Sequence, residues 1–384
     1  MGLATILFMN KPLLLLSLLA FSLSSCSSGP GELKVTLTPI VGKACFHTPE
    51  QHEFLVSEDP DAYIEAHAGT LGLKSKGAPL GVSVAWKAAG KPTAFSLLLS
   101  EKEDFSTYET FEAENSPYAF QNLYLGKTYF YKVIAHRGEE SKESEPASFT
   151  VEDTPIRNIA VPGMENLRDC GGYAVSEGKI KQGMLYRSGE LNPSSYSSPC
   201  RVNAEGLAYM KKELGIRGEI DLRKTLDSPF AQDEVDGITA SPLGEGVDYF
   251  PCPMEYRHVN PLTNPKNLES VRSFFSYLSV PEHYPLVYHC VRGTDRTGAL
   301  GYALGALCGM SETDLMRDYL FSDFANIGSS PIRQSEIAGE DFYVEGIKDS
   351  EGATLSEKAA HYLTQEVGVP AETLSAIKGI LIEA

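Results

Sequence analysis

The sequence predicts an α/β domain, a sheet flanked by helices, preceded by a small all-β sandwich. Three observations predict it. Beyond about residue 154, helix-period apolar patterns alternate with short apolar runs, as in a sheet covered on both faces. From Glu32 to about Val151, short alternating runs are separated by Gly, Pro, Asn and Ser, as in a sandwich. Late in the chain, an apolar run delivers one cysteine into a glycine-containing turn that opens a helix-forming stretch. A length of 384 residues fits two domains, and 42% hydrophobic content supplies ordinary cores. The expected division is a leader over 1–26, a sandwich over 27–153 and the α/β domain over 154–384.

Residues 13–19 are almost continuously apolar, and small residues follow up to Cys26. That run is shorter than a membrane-spanning helix requires and reads as a targeting leader. Leu23-Ser24-Ser25-Cys26 resembles a bacterial lipoprotein cleavage box, which makes Cys26 the lipidated first residue of the mature chain. Reading the start at Met9 gives a compact Met9-Asn10-Lys11 opening. The expected location is the cell envelope, with the membrane reached through the lipid on Cys26. Ser27 points to the outer membrane.

In the sandwich, Val82, Val84 and Trp86 alternate, as do Tyr129, Tyr131 and Val133. The segment around Leu123, Gly126, Tyr129 and Val133 resembles the end of a fibronectin type III domain, an immunoglobulin-like fold. Tyr129 is then its corner tyrosine and Trp86 its core tryptophan. The expected role is a spacer or docking surface.

In the α/β part, 203–214 carries Leu207, Met210 and Leu214 on one helical face, and Gly215 stops it. A strand follows over 216–222. Val271, Phe274, Phe275 and Leu278 mark the helix before the next strand, 286–289. Ser311 and Asp314 open a further helix, and Pro370 opens the last. Between Asp227 and Pro265 lies a long irregular stretch, which reads as a mobile or functional loop and a lid.

The loop from Cys290 carries the chemistry. A strand, a tight loop and a helix N-terminus form an anion site, because successive N–H groups and the helix dipole converge. The same field stabilises a thiolate at Cys290. Arg296 offers a planar fork for two phosphate oxygens. Val291, Arg292, Gly293 and Thr294 supply the amides around the anion. Thr297 can hydrogen-bond the sulfur and ease its departure. Gly293 permits a backbone conformation closed to other residues, and Gly298 permits close packing at the helix start. The chemistry so read is phosphate-ester hydrolysis through a cysteinyl-phosphate, with no metal and no cofactor.

His289-Cys290-Val291-Arg292-Gly293-Thr294-Asp295-Arg296-Thr297-Gly298 resembles the signature loop of protein tyrosine phosphatases. It is most similar to the bacterial members whose loop carries Asp beside the Arg. NLRDCGGY (166–173), LYRSGEL (185–191), IDLRKTLD (220–227) and DYLFSDFAN (318–326) resemble further family segments, in family order. The resemblance implies a tyrosine phosphatase-like sheet and a phosphotyrosine substrate, with phosphoserine and phosphothreonine as extras. It implies Asp295 as general acid, with Asp169 as second candidate. Arg168 and Asp169 are placed near the substrate, and His289 orders the loop. Many relatives carry Lys where this chain has Thr294, which argues against phosphoinositides, while Arg292 restores positive charge at the rim. Asp221 and Arg223 fall at a strand end, either in the site or as a buried ion pair.

The net charge of −18 excludes nucleic acid as partner. Substrate attraction then falls to a local basic pocket drawn from Arg168, Arg187, Arg223, Arg292 and Arg296. Apart from Cys26 and Cys290, the cysteines are Cys45, Cys170, Cys200, Cys252 and Cys308. Their spacing matches no zinc pattern, and Cys308 reads as core. Cys200 and Cys252 can pair, but spacing does not decide it. Two alternatives stand beside the main reading. One is an inositol-phosphate or phosphoinositide phosphatase, and the other is a non-catalytic lipoprotein that binds a phosphate ligand.

Overall fold

The computed structural model describes residues 31–67, 70–71, 78–193, 202–225, 235, 237–256, 260–327 and 345–384. Cys26, the leader, Cys200 and, within the expected lid, residues 227–234, 236 and 257–259 lie outside them. The described part of that stretch is not irregular throughout, because Asp248–Pro251 is a strand paired in the main sheet.

The first half begins with β1 (Lys34–Thr38), α1 (Pro49–Val56) and α2 (Pro60–Ala66). Then come β2 (Val82–Ala89), β3 (Ala94–Ser100), β4 (Glu109–Ala113) and β5 (Tyr118–Phe120). β6 (Thr128–Arg137), β7 (Glu140–Glu143) and β8 (Ala147–Thr150) complete it. One antiparallel sheet has the order β1-β2-β5, and the other β4-β3-β6-β7 with β8 also on β6. Alternation along the strands puts Val82, Val84 and Trp86 into a core with Leu97, Tyr131, Val133 and Phe149. The Tyr129 hydroxyl accepts a bond from Tyr124 N–H at 3.0 Å.

The expectation of an all-β first half fails at α1 and α2. A Thr48–Gln51 capping box with Pro49 starts α1, and Asp59 with Pro60 starts α2. Both helices contribute to the core of the second half. Phe54 packs against Phe321 and Phe324, with ring centroids 6.3 and 5.3 Å away. Helical spacing in a short polar stretch was masked by the strand-like runs on either side.

The second half opens with β9 (Arg157–Asn158), β10 (Arg168–Asp169), β11 (Ala174–Val175), β12 (Gly178–Ile180) and β13 (Leu185–Ser188). It continues with α3 (Ala204–Lys212), β14 (Gly218–Asp221), β15 (Asp248–Pro251), α4 (Leu268–Leu278) and β16 (Leu286–His289). The helices α5 (Asp295–Cys308), α6 (Glu312–Leu320), α7 (Glu345–Lys348), α8 (Leu355–His361) and α9 (Ala371–Leu381) precede β17 (Ile382–Glu383). The main sheet has the order β15-β14-β16-β13-β10-β9. β16 lies between β13 and β14, parallel to both. Its side chains alternate between two cores. Leu286 and Tyr288 join the cluster of α4 and α5, while Val287 faces Met210 of α3. Burial on both faces is why this strand reads as a continuous apolar run.

Candidate active site

Cys290 is the first residue after β16, and α5 starts five residues later. Leu222 and Met254 follow β14 and β15, so three parallel strand ends converge here, where open α/β sheets place ligands.

The loop is shaped by what holds its carbonyls. Cys290 O lies 3.2 Å from His289 Nδ1. Val291 O accepts from Glu190 N–H at 3.1 Å, and Arg292 O from Asn166 Nδ2 at 3.0 Å. Gly293 O accepts from Arg187 Nη2 at 3.0 Å, and Thr294 O from Gly298 N–H at 2.7 Å. In a planar trans peptide each carbonyl is opposed to the next N–H. Holding five successive carbonyls outward therefore turns the following amides toward the other side. The N–H groups of Val291, Arg292, Gly293 and Thr294 donate to no described residue. This makes an amide nest at a helix N-terminus.

The two motif glycines have distinct causes. Gly293 has φ +74°, and a Cβ there would stand 2.3 Å from Ser188 O. At Gly298 a Cβ would meet the Tyr319 ring at 2.6 Å, so glycine lets α6 approach α5.

Arg296 lies in the first turn of α5 and is 2% exposed. Its Nη1 donates to Leu222 O at 3.1 Å and Met254 O at 3.4 Å, and its guanidinium lies 4.3 Å from the centre of the Tyr256 ring. The Thr294 and Thr297 hydroxyls are buried with no hydrogen-bond partner among the described residues. Asp295 is the first helical residue and is half-exposed.

Arg168 and Asp169, expected beside the substrate, lie beneath the loop. Arg168 is 1% exposed, and it donates to Asp318 Oδ1 at 2.9 Å and Asp318 O at 2.6 Å. Asp169 is fully buried, paired with Arg157 at 2.8 Å, and accepts from Gly171 N–H and Gly183 N–H. With both oxygens committed, it is not placed to deliver a proton to a leaving group. Arg187 also pairs with Asp318. Burial alone would push the Asp318 carboxyl up, but Arg168 and Arg187 together hold it below the usual carboxylate range.

Arg223 and Asp221 form the buried pair. Arg223 donates to Asp221 at 2.9 and 2.7 Å, to Glu190 at 3.1 Å and to Asn192 Oδ1 at 2.6 Å. Against burial, His289 and Arg223 hold the Asp221 carboxyl down at about 2. Thus three of the five arginines expected in a basic pocket support the site from below, and Arg292 and Arg296 belong to the loop. His289 is fully buried with Nε2 2.9 Å from Glu219 Oε1. Glu219, Asp221 and His289 bring donor atoms within 4.8 Å of one another. Asp221 already accepts from Arg223 and the Tyr249 hydroxyl, so the cluster is a hydrogen-bond network rather than a cation site.

Sequence reasoning missed Asp318, Asn166 and Glu219 as loop supports. Each lies in or beside a segment noted above, but only the fold shows what it touches. Cys252 and Cys308 are buried free thiols, and Cys252 Sγ lies 3.1 Å from Ser270 O.

Residues 159–383 match the sequence model of the tyrosine phosphatase family. A Cupriavidus necator protein designated a candidate tyrosine-protein phosphatase is 25% identical over 238 residues, which cover 57% of this chain and 80% of that protein. Among solved structures, the core catalytic domain of the PP-IP phosphatase SIW14 from S. cerevisiae, in complex with citrate, has a TM-score of 0.32 at 16% identity. It covers 58% of this chain and 100% of that one. A second structure of the SIW14 catalytic core has a TM-score of 0.27 at 19% identity, covering 44% and 80%.

Proposed function

Because this chain belongs to the tyrosine phosphatase family, we propose that it hydrolyses phosphate monoesters through a phosphocysteine on Cys290, with phosphotyrosine as the preferred substrate. The observation that carries this is the set of outward-held carbonyls, which leaves four amides, a helix start and Arg296 around the cysteine's loop.

In the first step Cys290 Sγ forms a bond to phosphorus as the ester P–O bond breaks. Asp295 gives its proton to the departing oxygen. Charge on the equatorial oxygens meets the loop amides and the Arg296 fork. In the second step water attacks phosphorus, Asp295 takes a proton from it and the S–P bond breaks. The Thr297 hydroxyl, buried without a partner among the described residues, donates to the sulfur as negative charge returns. Arg292 at the rim attracts the anionic substrate, and His289 holds Cys290 O.

The same reading places the enzyme at the cell envelope, anchored through a lipid on Cys26. The β1–β8 sheets are read as an immunoglobulin-like, fibronectin type III-like module. The Tyr129 hydroxyl bond and buried Trp86 support that reading.

The test measures phosphate release from phosphotyrosine, phosphoserine and phosphothreonine peptides and an inositol polyphosphate. Wild type and Cys290→Ser are compared with a chelator present. Release from the phosphotyrosine peptide by wild type alone is expected. Faster release from the inositol polyphosphate would overturn the substrate assignment, and turnover by Cys290→Ser would overturn the mechanism.

A further inference from the structure

We propose that Cys45, His52 and Glu152 bind a divalent cation of the zinc class where the first half of the chain meets the second.

Three local devices bring these residues together. The bridge of Ala44 with Val151, and the 2.9 Å bond from Glu152 N–H to Ala44 O, place Cys45 beside Glu152. The Thr48–Gln51 capping box fixes the start of α1 and with it His52. One donor atom from each of the three residues lies within 4.8 Å of the others. His52 Nε2 and Glu152 Oε2 are 3.5 Å apart. Tetrahedral zinc with ordinary bond lengths separates its ligand atoms by about 3.5 Å, so closing the site takes only small side-chain movements.

The polar atoms here are only loosely partnered: Cys45 Sγ lies 3.9 Å from His47 Nδ1, and Glu152 Oε2 lies 3.5 Å from His52 Nε2. Apart from that ion pair, buried Glu152 Oε2 makes no hydrogen bond among the described residues. His47 stands just outside the three-donor cluster. Its Nε2 lies 2.6 Å from Ile156 O, and a carbonyl only accepts, so the ring proton belongs on Nε2. That leaves a lone pair on Nδ1, 3.9 Å from Cys45 Sγ. An imidazole tied to a main-chain carbonyl through its far nitrogen is the usual arrangement of a metal-binding histidine. With a modest ring movement His47 Nδ1 takes the fourth position. Sulfur, imidazole and carboxylate together favour Zn²⁺ over Mg²⁺ or Ca²⁺. Binding displaces the thiol proton to solvent as the metal–sulfur bond forms. His52 has 41% side-chain exposure, which leaves the cation a path in. Cysteine spacing alone hid the site, because its donors are of three kinds and one comes from more than a hundred residues away.

Cobalt(II) is the probe, titrated into the full chain carrying Cys290→Ser so that the loop cysteine cannot contribute. One equivalent is expected to give a thiolate-to-cobalt absorption in the near ultraviolet and a tetrahedral visible band, both displaced by Zn²⁺. Adding Cys45→Ser removes the thiolate band. His52→Ala and Glu152→Gln each weaken binding at least tenfold. His47→Ala weakens it by about 10- to 100-fold. Zn²⁺ raises the melting temperature of the parent and not of the Cys45→Ser protein. Absence of the thiolate band, or its persistence in Cys45→Ser, overturns the site. Full binding by both His52→Ala and Glu152→Gln overturns the ligand set.

Discussion

Beneath the loop, charge is matched against charge. Asp318 serves Arg168 and Arg187, Asp221 and Glu190 serve Arg223, and Asp169 serves Arg157. In the loop itself, four amides and two threonine hydroxyls have no acceptor or partner among the described residues. The two regions divide the work. Arg187, paired with Asp318, holds Gly293 O, while backbone amides, Asn166 and His289 hold the other carbonyls, and the donors left over are those the proposed reaction uses. Arginine and threonine therefore take their meaning here from their layer.

The comparison can be broken at its sharpest point first. Cys290→Ser is expected to lower phosphate release by about 10⁴-fold or more while leaving the melting temperature near wild type. Equal loss of folding would show that the loop is needed for stability after all. Next in size, Asp318→Asn leaves two buried guanidinium groups short of their counter-ion. It should cost about 3–5 kcal/mol in chemical denaturation, with activity falling as Gly293 O loses a well-placed Arg187. Unchanged stability would mean that the lower layer is dispensable. Gly293→Ala sets a Cβ against Ser188 O at positive φ. A loss of about 1–3 kcal/mol is expected, with a larger proportional loss in kcat.

Thr297→Val sharpens the contrast from the other side. It removes a buried hydroxyl that has no partner among the described residues, so stability should hold or rise slightly. Dephosphorylation should slow by about tenfold, roughly 1.4 kcal/mol, seen as a burst of the first product. The response to acid tests the lower layer without a substitution. The Asp221 carboxyl is held at about 2 in the fold, below the value of about 3.9 expected when unfolded. Its stabilisation is thus complete above the unfolded value and is lost as pH falls toward 2. Denaturation at pH 6, 4 and 2 should show this decline, and Asp221→Asn should start less stable and decline less.

Local signals were legible where they are self-contained. The strand 286–289, the Gly309 stop and the starts at Asn203 and Ser311 all appear as read. The loop cysteine and its glycines were legible because strand, turn and helix follow one another directly. Asp169 and Arg168 misled because a motif shows residue types and not the face they occupy. Asp318 gained its role only when α6 met β10 and β13, across well over a hundred residues. Helix α1 was hidden in part because the apolar partners of Phe54, Phe321 and Phe324, lie in the other half of the chain. The pairing left open for Cys252 is answered locally, since its sulfur is a free thiol against Ser270 O, while Cys200 lies outside the described residues.

One feature of the junction bears on how this enzyme can be handled. Arg157 donates to Leu123 O at 3.0 Å and Asn122 O at 2.6 Å while it holds Asp169. Asn122 in turn bonds Ala160 through both its amide nitrogen and its oxygen, and Gln182 exchanges two bonds with Leu125. A fragment trimmed at residue 154 would strip these acceptors and bare the oily patch at Phe321 and Phe324. Such a trimmed enzyme is expected to clump and to score low in assays for reasons unrelated to its chemistry, so the whole chain is the proper unit for measuring rates.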